Sequence, residues 1–177
     1  MIEADVLKDV IAKIHSLDLP YMLTGSWAMS FYTLPRMTRD IDIVIEIYIH
    51  DVDKFMEVFS KEYYVEKNAI LESIKYRSMF NIIHNLYLVK VDFIVRKNEE
   101  YRLNEFKRKK NDIFEGQSLK VVSIEDLILS KLEWVKVSES EYQKRDIVIL
   151  LQEKYDKDYL ITWAKKIGVY DILEKLL

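Results

Sequence analysis

The sequence predicts an α+β fold: a sheet of short strands with flanking helices, followed by a lobe built of helices alone. Two patterns carry that prediction. Several segments before residue 118 alternate apolar and polar residues with a period of two, as half-buried strands do. After it, apolar residues recur at helical spacing. The expected division is a core over residues 1–118 and a C-terminal helical lobe over 119–177 that completes the site.

Val6, Val10, Ile11 and Ile14 are spaced for one face of a helix, expected over residues 3–16. Pro20 closes that region, and Tyr21 to Thr24 make a short apolar strand. Gly25-Ser26 interrupts it, Trp27 to Tyr32 open a short helix, and Pro35 closes a loop that runs through Arg39. From Asp40 to Tyr48 the chain alternates, with Ile41, Ile43, Ile45 and Ile47 on one face and Asp40, Asp42 and Glu46 on the other. That is a strand with one wet face. Val52, Phe55, Met56 and Phe59 return to helical spacing over 51–62, with Asp51 as the cap.

Two strands are expected over 76–83 and 86–95, joined by a tight turn at His84-Asn85. In the second, Val89, Val91, Phe93 and Val95 share a face opposite Lys90 and Asp92. Residues 98–112 are polar and basic and read as a connector, and Val121-Val122 adds a short strand. Ser123 stands three residues before Asp126, a capping box that opens a helix to about Val137. A second helix is expected over Glu141–Lys154, and Gly168 separates the last two.

Composition removes several function classes. The chain has 177 residues, half of them hydrophobic, enough to bury a core. It contains no cysteine, which excludes disulfides, thiolate metal sites and cysteine nucleophiles. A net charge of −3 argues against an RNA-binding module acting through global charge. The run Arg102, Lys107, Arg108, Lys109 and Lys110 leaves two readings, an RNA-facing stripe or a solvated helix face. No apolar run has the length of a membrane span, and acids stand where a signal peptide carries lysine or arginine, so a cytoplasmic protein is expected.

The chemistry concentrates in Leu23-Thr24-Gly25-Ser26 and in Arg39-Asp40-Ile41-Asp42. A strand that ends in Gly-Ser and feeds a helix offers free N–H groups and a hydroxyl, which suit phosphate oxygens. Asp40 and Asp42, two residues apart on a strand, project from one face. Together they suit Mg²⁺, a hard cation that also takes phosphate oxygens as ligands. Asp92, facing the same way from another strand, would complete a two-metal site, with Mn²⁺ as an alternative ion. Arg36 and Arg39 would contact phosphate or remain solvated. Lys131 follows Leu127 and Ile128 on an inward helix face and so needs an anionic partner. A triphosphate or Asp146 would serve, the alternative being a purely structural ion pair.

Gly-Ser, about a dozen residues, Asp-x-Asp on a strand and a later hydrophobic-Asp together resemble the DNA polymerase β-type nucleotidyltransferase superfamily. Phe80-Asn81-Ile82-Ile83-His84, Lys90-Val91-Asp92, the stretch Ser123 to Trp134 and Lys144-Arg145-Asp146-Ile147 are similar to small nucleotidyltransferase-like proteins related to AbiEii-type toxins. That resemblance implies transfer of a nucleoside monophosphate from an NTP, such as ATP, to a hydroxyl. Asp40, Asp42 and Asp92 would bind metal, Gly25, Ser26, Arg39 and Lys131 would bind nucleotide, and Lys131 and Asp146 would lie at the active site. The acceptor (tRNA or other RNA, protein or small molecule) stays open, as does an antitoxin-like, non-catalytic nucleotide binder with the same fold.

Overall fold

A computed structural model of the chain describes residues 2–34, 38 and 40–177. Its strands are β1 (Tyr21–Thr24), β2 (Ile41–Ile45), β3 (Tyr63–Tyr64), β4 (Met79–His84), β5 (Lys90–Val95), β6 (Lys110–Phe114) and β7 (Gln117–Val121). They form one mixed sheet in the order β3-β4-β5-β2-β1-β7-β6. Helices α1 (Ile2–Ser16), α2 (Gly25–Met29), α3 (Val52–Phe59), α4 (Lys67–Tyr76) and α5 (Glu100–Lys107) interleave with the strands. After β7 come α6 (Ile124–Ser138), α7 (Glu141–Leu150), α8 (Lys157–Lys166) and α9 (Tyr170–Glu174). No helix among the described residues is long and apolar enough to cross a membrane.

The centre of the sheet follows from the alternation in the sequence. Ile41, Ile43 and Ile45 of β2 and Val91, Phe93 and Val95 of β5 are buried on one face. Against them pack Phe55 and Phe59 of α3, whose rings stack at 4.3 Å, and Phe80 of β4, stacked on Phe93 at 5.2 Å. The other face of β2 and β5 carries the carboxylates. β2 runs antiparallel to β1 and parallel to β5, which places Asp42 beside Thr24 on one side and Asp92 on the other.

Several elements depart from expectation, each for a local reason. β2 stops at Ile45 because the Asp51 carboxylate accepts the Tyr48 N–H (2.9 Å) and turns the chain. Helix α4 is not expected from the sequence; it ends where Arg77 takes φ 51° and Ser78 N donates to Ser73 O, so β4 begins only at Met79. The β4–β5 connection is longer than a two-residue turn. His84 Nδ1 accepts the N–H groups of Leu86 and Tyr87, each at 3.2 Å, and Leu88 adopts φ 54°. The expected connector over 98–112 is α5 plus β6, which joins β7 through Glu115-Gly116, both at positive φ as the tightest hairpins need. Ser118 therefore lies inside a paired strand. Helix α7 ends at Leu150, four residues early.

Within the basic run Lys107 and Lys110 are exposed, while half-buried Arg102 and Arg108 join the lobe to the sheet. Arg108 pairs with Asp126 (3.1 Å) and Glu125 (3.0 Å), and its guanidinium lies 3.6 Å from the centre of the Tyr159 ring. Tyr159 donates its hydroxyl to Asp126 (2.7 Å), while Ser123 both caps α6 and donates to the same carboxylate (2.6 Å). Arg102 is held by Glu105, Glu133 and Ser130. Asp126 is fully buried and collects bonds from three elements. Asp126→Ala should therefore lower the unfolding free energy by about 3 kcal/mol, as loss of one partner of a buried pair does. Tyr159→Phe should cost only about 1 kcal/mol. Urea titrations of both variants check this, and an Asp126→Ala loss under about 1 kcal/mol would mean that the network does not hold the lobe.

Candidate active site

Where β1 gives way to α2, Gly25 has φ +66°, a conformation that disfavours any side chain. A Cβ at this position would stand 2.0 Å from Asp42 Oδ2 and 2.9 Å from Asp42 Cβ. Glycine is therefore what lets the Asp42 carboxylate lie against the turn, with half-buried Ser26 beside it. On the far side of β2, Asp42 and Asp92 are partners across a parallel pair. Neighbouring strands stand about 4.8 Å apart, and Asp40 lies one pleat, about 6.6 Å, along the same face. The three aspartates thus share one face at one end of adjacent strands.

The charges feel one another. Burial first, and then the charges of Asp92 and Asp40, push the Asp42 carboxyl up to about 6, while Lys90 and Lys131 act in the opposite direction. Asp92, expected on a wet face, is buried instead at 5 % exposure. Its Oδ2 accepts from Lys90 Nζ at 2.8 Å, and its Oδ1 has no hydrogen-bond partner among the described residues. The Lys90 ammonium is also 3.9 Å from Asp40 Oδ2. Pairing with Asp92 holds the Lys90 pKa above its ordinary value despite some burial.

Helix α6 packs against α2 and α7 and brings Lys131 toward this face. Lys131 is buried, and its Nζ donates to Asp146 Oδ2 (2.7 Å) and Gln143 Oε1 (2.9 Å), both on α7. Asp146 therefore partners Lys131. His84 serves the β4–β5 loop: its ring packs between Tyr63 and Tyr87 at 5.0 and 4.7 Å. Arg36 and Arg39 lie outside the described residues. Sequence reasoning names Lys90 as a polar strand residue within the Lys90-Val91-Asp92 motif but gives it no role, and it passes over Gln143. The signal for Lys90 is its place two residues before Asp92, but its contact with Asp40 needs the β2–β5 register.

Among the described residues, no three His, Asp or Glu side chains stand closely enough to hold a metal ion as they are. The donor set nevertheless fits a hard divalent cation. Three carboxylates share a face, one buried carboxylate oxygen lacks a partner, and a glycine turn lets the Asp42 carboxylate lie against the backbone. Asp40, Asp42 and Asp92 are the residues that would hold it.

The raised carboxyl and the glycine turn each have a measurable consequence. Asp42 takes up its proton at about 6 in the folded chain, against 3.8 for an unperturbed aspartate. Its contribution to stability is therefore most favourable below 3.8 and is lost as pH rises through about 6. In EDTA, Asp42→Asn should match the wild type only near about pH 3.5, below both values, and exceed it by about 1–2 kcal/mol near pH 8, discounted for partial solvent screening. Urea melts at the two pH values measure this, and an asparagine variant less stable at the higher pH would refute it. Gly25→Ala should cost about 2 kcal/mol, through left-handed backbone strain and the collision with Asp42. A double-mutant cycle with Asp42→Ala should show about 1 kcal/mol of coupling.

No family model and no curated protein sequence matches the chain. Solved structures do. An antigenic nucleotidyltransferase-like protein from Paracoccidioides brasiliensis is 17 % identical over 85 % of this chain and 76 % of that one, with a TM-score of 0.57. The antibiotic-resistance factor ANT(2'')-Ia is 12 % identical over 98 % and 96 %, with a TM-score of 0.59. The lincosamide antibiotic adenylyltransferase LnuA, bound to lincomycin, is 16 % identical over 81 % and 93 %, with a TM-score of 0.55. At these identities the likeness is one of fold. The chain has the α+β nucleotidyltransferase fold that its motifs predict.

Proposed function

We propose that the chain is a Mg²⁺-dependent nucleotidyltransferase that moves a nucleoside monophosphate from an NTP to an acceptor hydroxyl and releases pyrophosphate. The observation that carries this reading is the register of Asp42 against Asp92, with Asp42 seated on Gly25 and the Asp92 Oδ1 unpartnered. Asp40, Asp42 and Asp92 would hold Mg²⁺ or Mn²⁺, which bound there supplies Lewis-acid activation of the hydroxyl and neutralises triphosphate charge. The acceptor oxygen forms a bond to the α-phosphorus while the bond from that phosphorus to the bridging oxygen breaks, and pyrophosphate leaves. Asp92, on the acceptor side, receives or relays the hydroxyl proton. Gly25, expected to admit phosphate, is covered by the Asp42 carboxylate and so seats a metal ligand, while Ser26 beside it would add a hydroxyl to the phosphate contacts. Lys131 contributes positive charge toward Asp42, and Asp146 with Gln143 fixes where that charge lies.

ATP is the first donor to test, because LnuA is an adenylyltransferase. Small-molecule hydroxyls head the acceptors, since ANT(2'')-Ia and LnuA both relate to antibiotics. The relation to AbiEii-type toxins rests on the sequence motifs alone.

Each α-labelled NTP should be incubated with the protein, Mg²⁺ and fractionated RNA, protein and small molecules. Label is expected in one fraction, most strongly with ATP. Asp42→Asn and Asp92→Asn should each lower transfer about a thousandfold or more, roughly 4 kcal/mol in the barrier. A thermal shift with Mg²⁺ and NTP but no transfer in any fraction would replace this reading with that of a nucleotide-binding protein.

A further inference from the structure

The carboxylates proposed for the metal already have a cation beside them, and it belongs to the chain. Lys90 stands two residues before Asp92 on β5, so both side chains leave the same face of the strand. The parallel register sets Ile41 beside Val91, which brings Asp40 alongside Lys90. Its ammonium reaches both acids, at 2.8 Å from Asp92 Oδ2 and 3.9 Å from Asp40 Oδ2. Asp92 is buried at 5 % exposure, with one oxygen neutralised by the lysine and the other without a partner. The Lys90 side chain itself is 39 % exposed, so its flexible stem has a route to solvent.

We infer that Lys90 is a displaceable counter-ion: it neutralises Asp92 and Asp40 in the metal-free protein and competes with the divalent cation for the same two carboxylates. The inference rests on the reading of Asp40, Asp42 and Asp92 as cation ligands. Mg²⁺ binds carboxylate oxygen at about 2.0–2.1 Å and Mn²⁺ seeks the same hard donors. An ammonium on one oxygen of the same carboxylate neutralises its charge and repels the incoming ion. Binding of the divalent ion therefore moves Lys90 outward, and the free protein holds metal more weakly than its three carboxylates alone would. An ordinary surface salt bridge predicts neither effect.

The test uses Mn²⁺ alone as the probe, titrated by calorimetry into the wild type, Lys90→Gln, Lys90→Arg and Asp92→Asn. Lys90→Gln should bind Mn²⁺ about tenfold tighter or more, the consequence of removing a like charge a few ångströms away. It should also melt at lower temperature without metal and gain a larger thermal shift with it. Lys90→Arg keeps the charge and should bind no tighter than the wild type. In the wild-type protein, acetylation of Lys90 read by mass spectrometry should rise several-fold on saturation with Mn²⁺.

Equal Mn²⁺ affinity in the wild type and Lys90→Gln, or Lys90 labelling indifferent to Mn²⁺, overturns the counter-ion role and leaves the acids as the metal site. Absence of Mn²⁺ binding in the wild type and in Lys90→Gln, or wild-type affinity in Asp92→Asn, overturns the metal-site reading and the counter-ion role with it.

Discussion

Three carboxylates on one face of a sheet must repel one another, and much of the molecule is arranged around that repulsion. Two unit charges about 5 Å apart oppose each other by roughly 3 kcal/mol at an effective dielectric near 20, before screening. That is a large share of the stability of a domain this size. The chain offsets it with charge from two directions. Lys90 reaches Asp92 and Asp40 from within the sheet, and Lys131 acts on Asp42 from α6. What remains adds to burial, the larger cause, in raising Asp42, which is also the carboxylate pressed against Gly25.

Lys131 is useful only if α6 is held in place, and its own ion pair does little of the holding. A buried lysine–aspartate pair such as Lys131–Asp146 contributes little net stability, because desolvation offsets the attraction. What it fixes is where the charge lies: two acceptors on α7, Asp146 and Gln143, leave the ammonium few alternatives. The helix itself is anchored in its first turn, where Asp126 collects Ser123, Tyr159 and Arg108. Arg108 follows α5 directly, so Asp126 ties α5 to α6, and Arg102 with Glu133 and Ser130 makes a second tie between the same helices. The apolar packing of Ile128, Leu129 and Leu132 supplies the bulk of the attachment, and the polar network selects its register.

Much of this is legible in the sequence because it depends on periods and short motifs. The isoleucine alternation locates β2 and its acidic face, and Ser123 with Asp126 locates the start of α6. Other features depend on partners far along the chain. Arg102 and Arg108 look like members of a solvated basic run, yet each is matched by acids 17 to 31 residues away. Helix α4 has only a thin apolar stripe at Ile70 and Ile74, and its stop depends on Arg77 accepting a left-handed backbone that no glycine announces. The alternation around Asp92 tells which face it is on but not that the face is covered. The contact of Lys90 with Asp40 becomes visible only once two strands are set side by side.

The locations of the unfavourable terms bear on whether the fold is used for chemistry or only as a scaffold. A raised carboxylate at Asp42, an unpartnered buried oxygen on Asp92 and a positive-φ turn at Gly25 all lie within a few residues of one another in space. An unsatisfied buried polar atom costs about 1–3 kcal/mol, and simple changes such as Asp42→Asn would relieve part of the strain without disturbing the β2 core. Under the proposed function, these costs gather in one place while the buried Asp126 is fully satisfied. A divalent cation and a triphosphate bound there would remove the repulsion by binding the folded state alone. The contrast between Asp92, with one oxygen unpartnered, and Asp126, fully bonded, is what the proposed metal site predicts of a ligand and of a structural carboxylate.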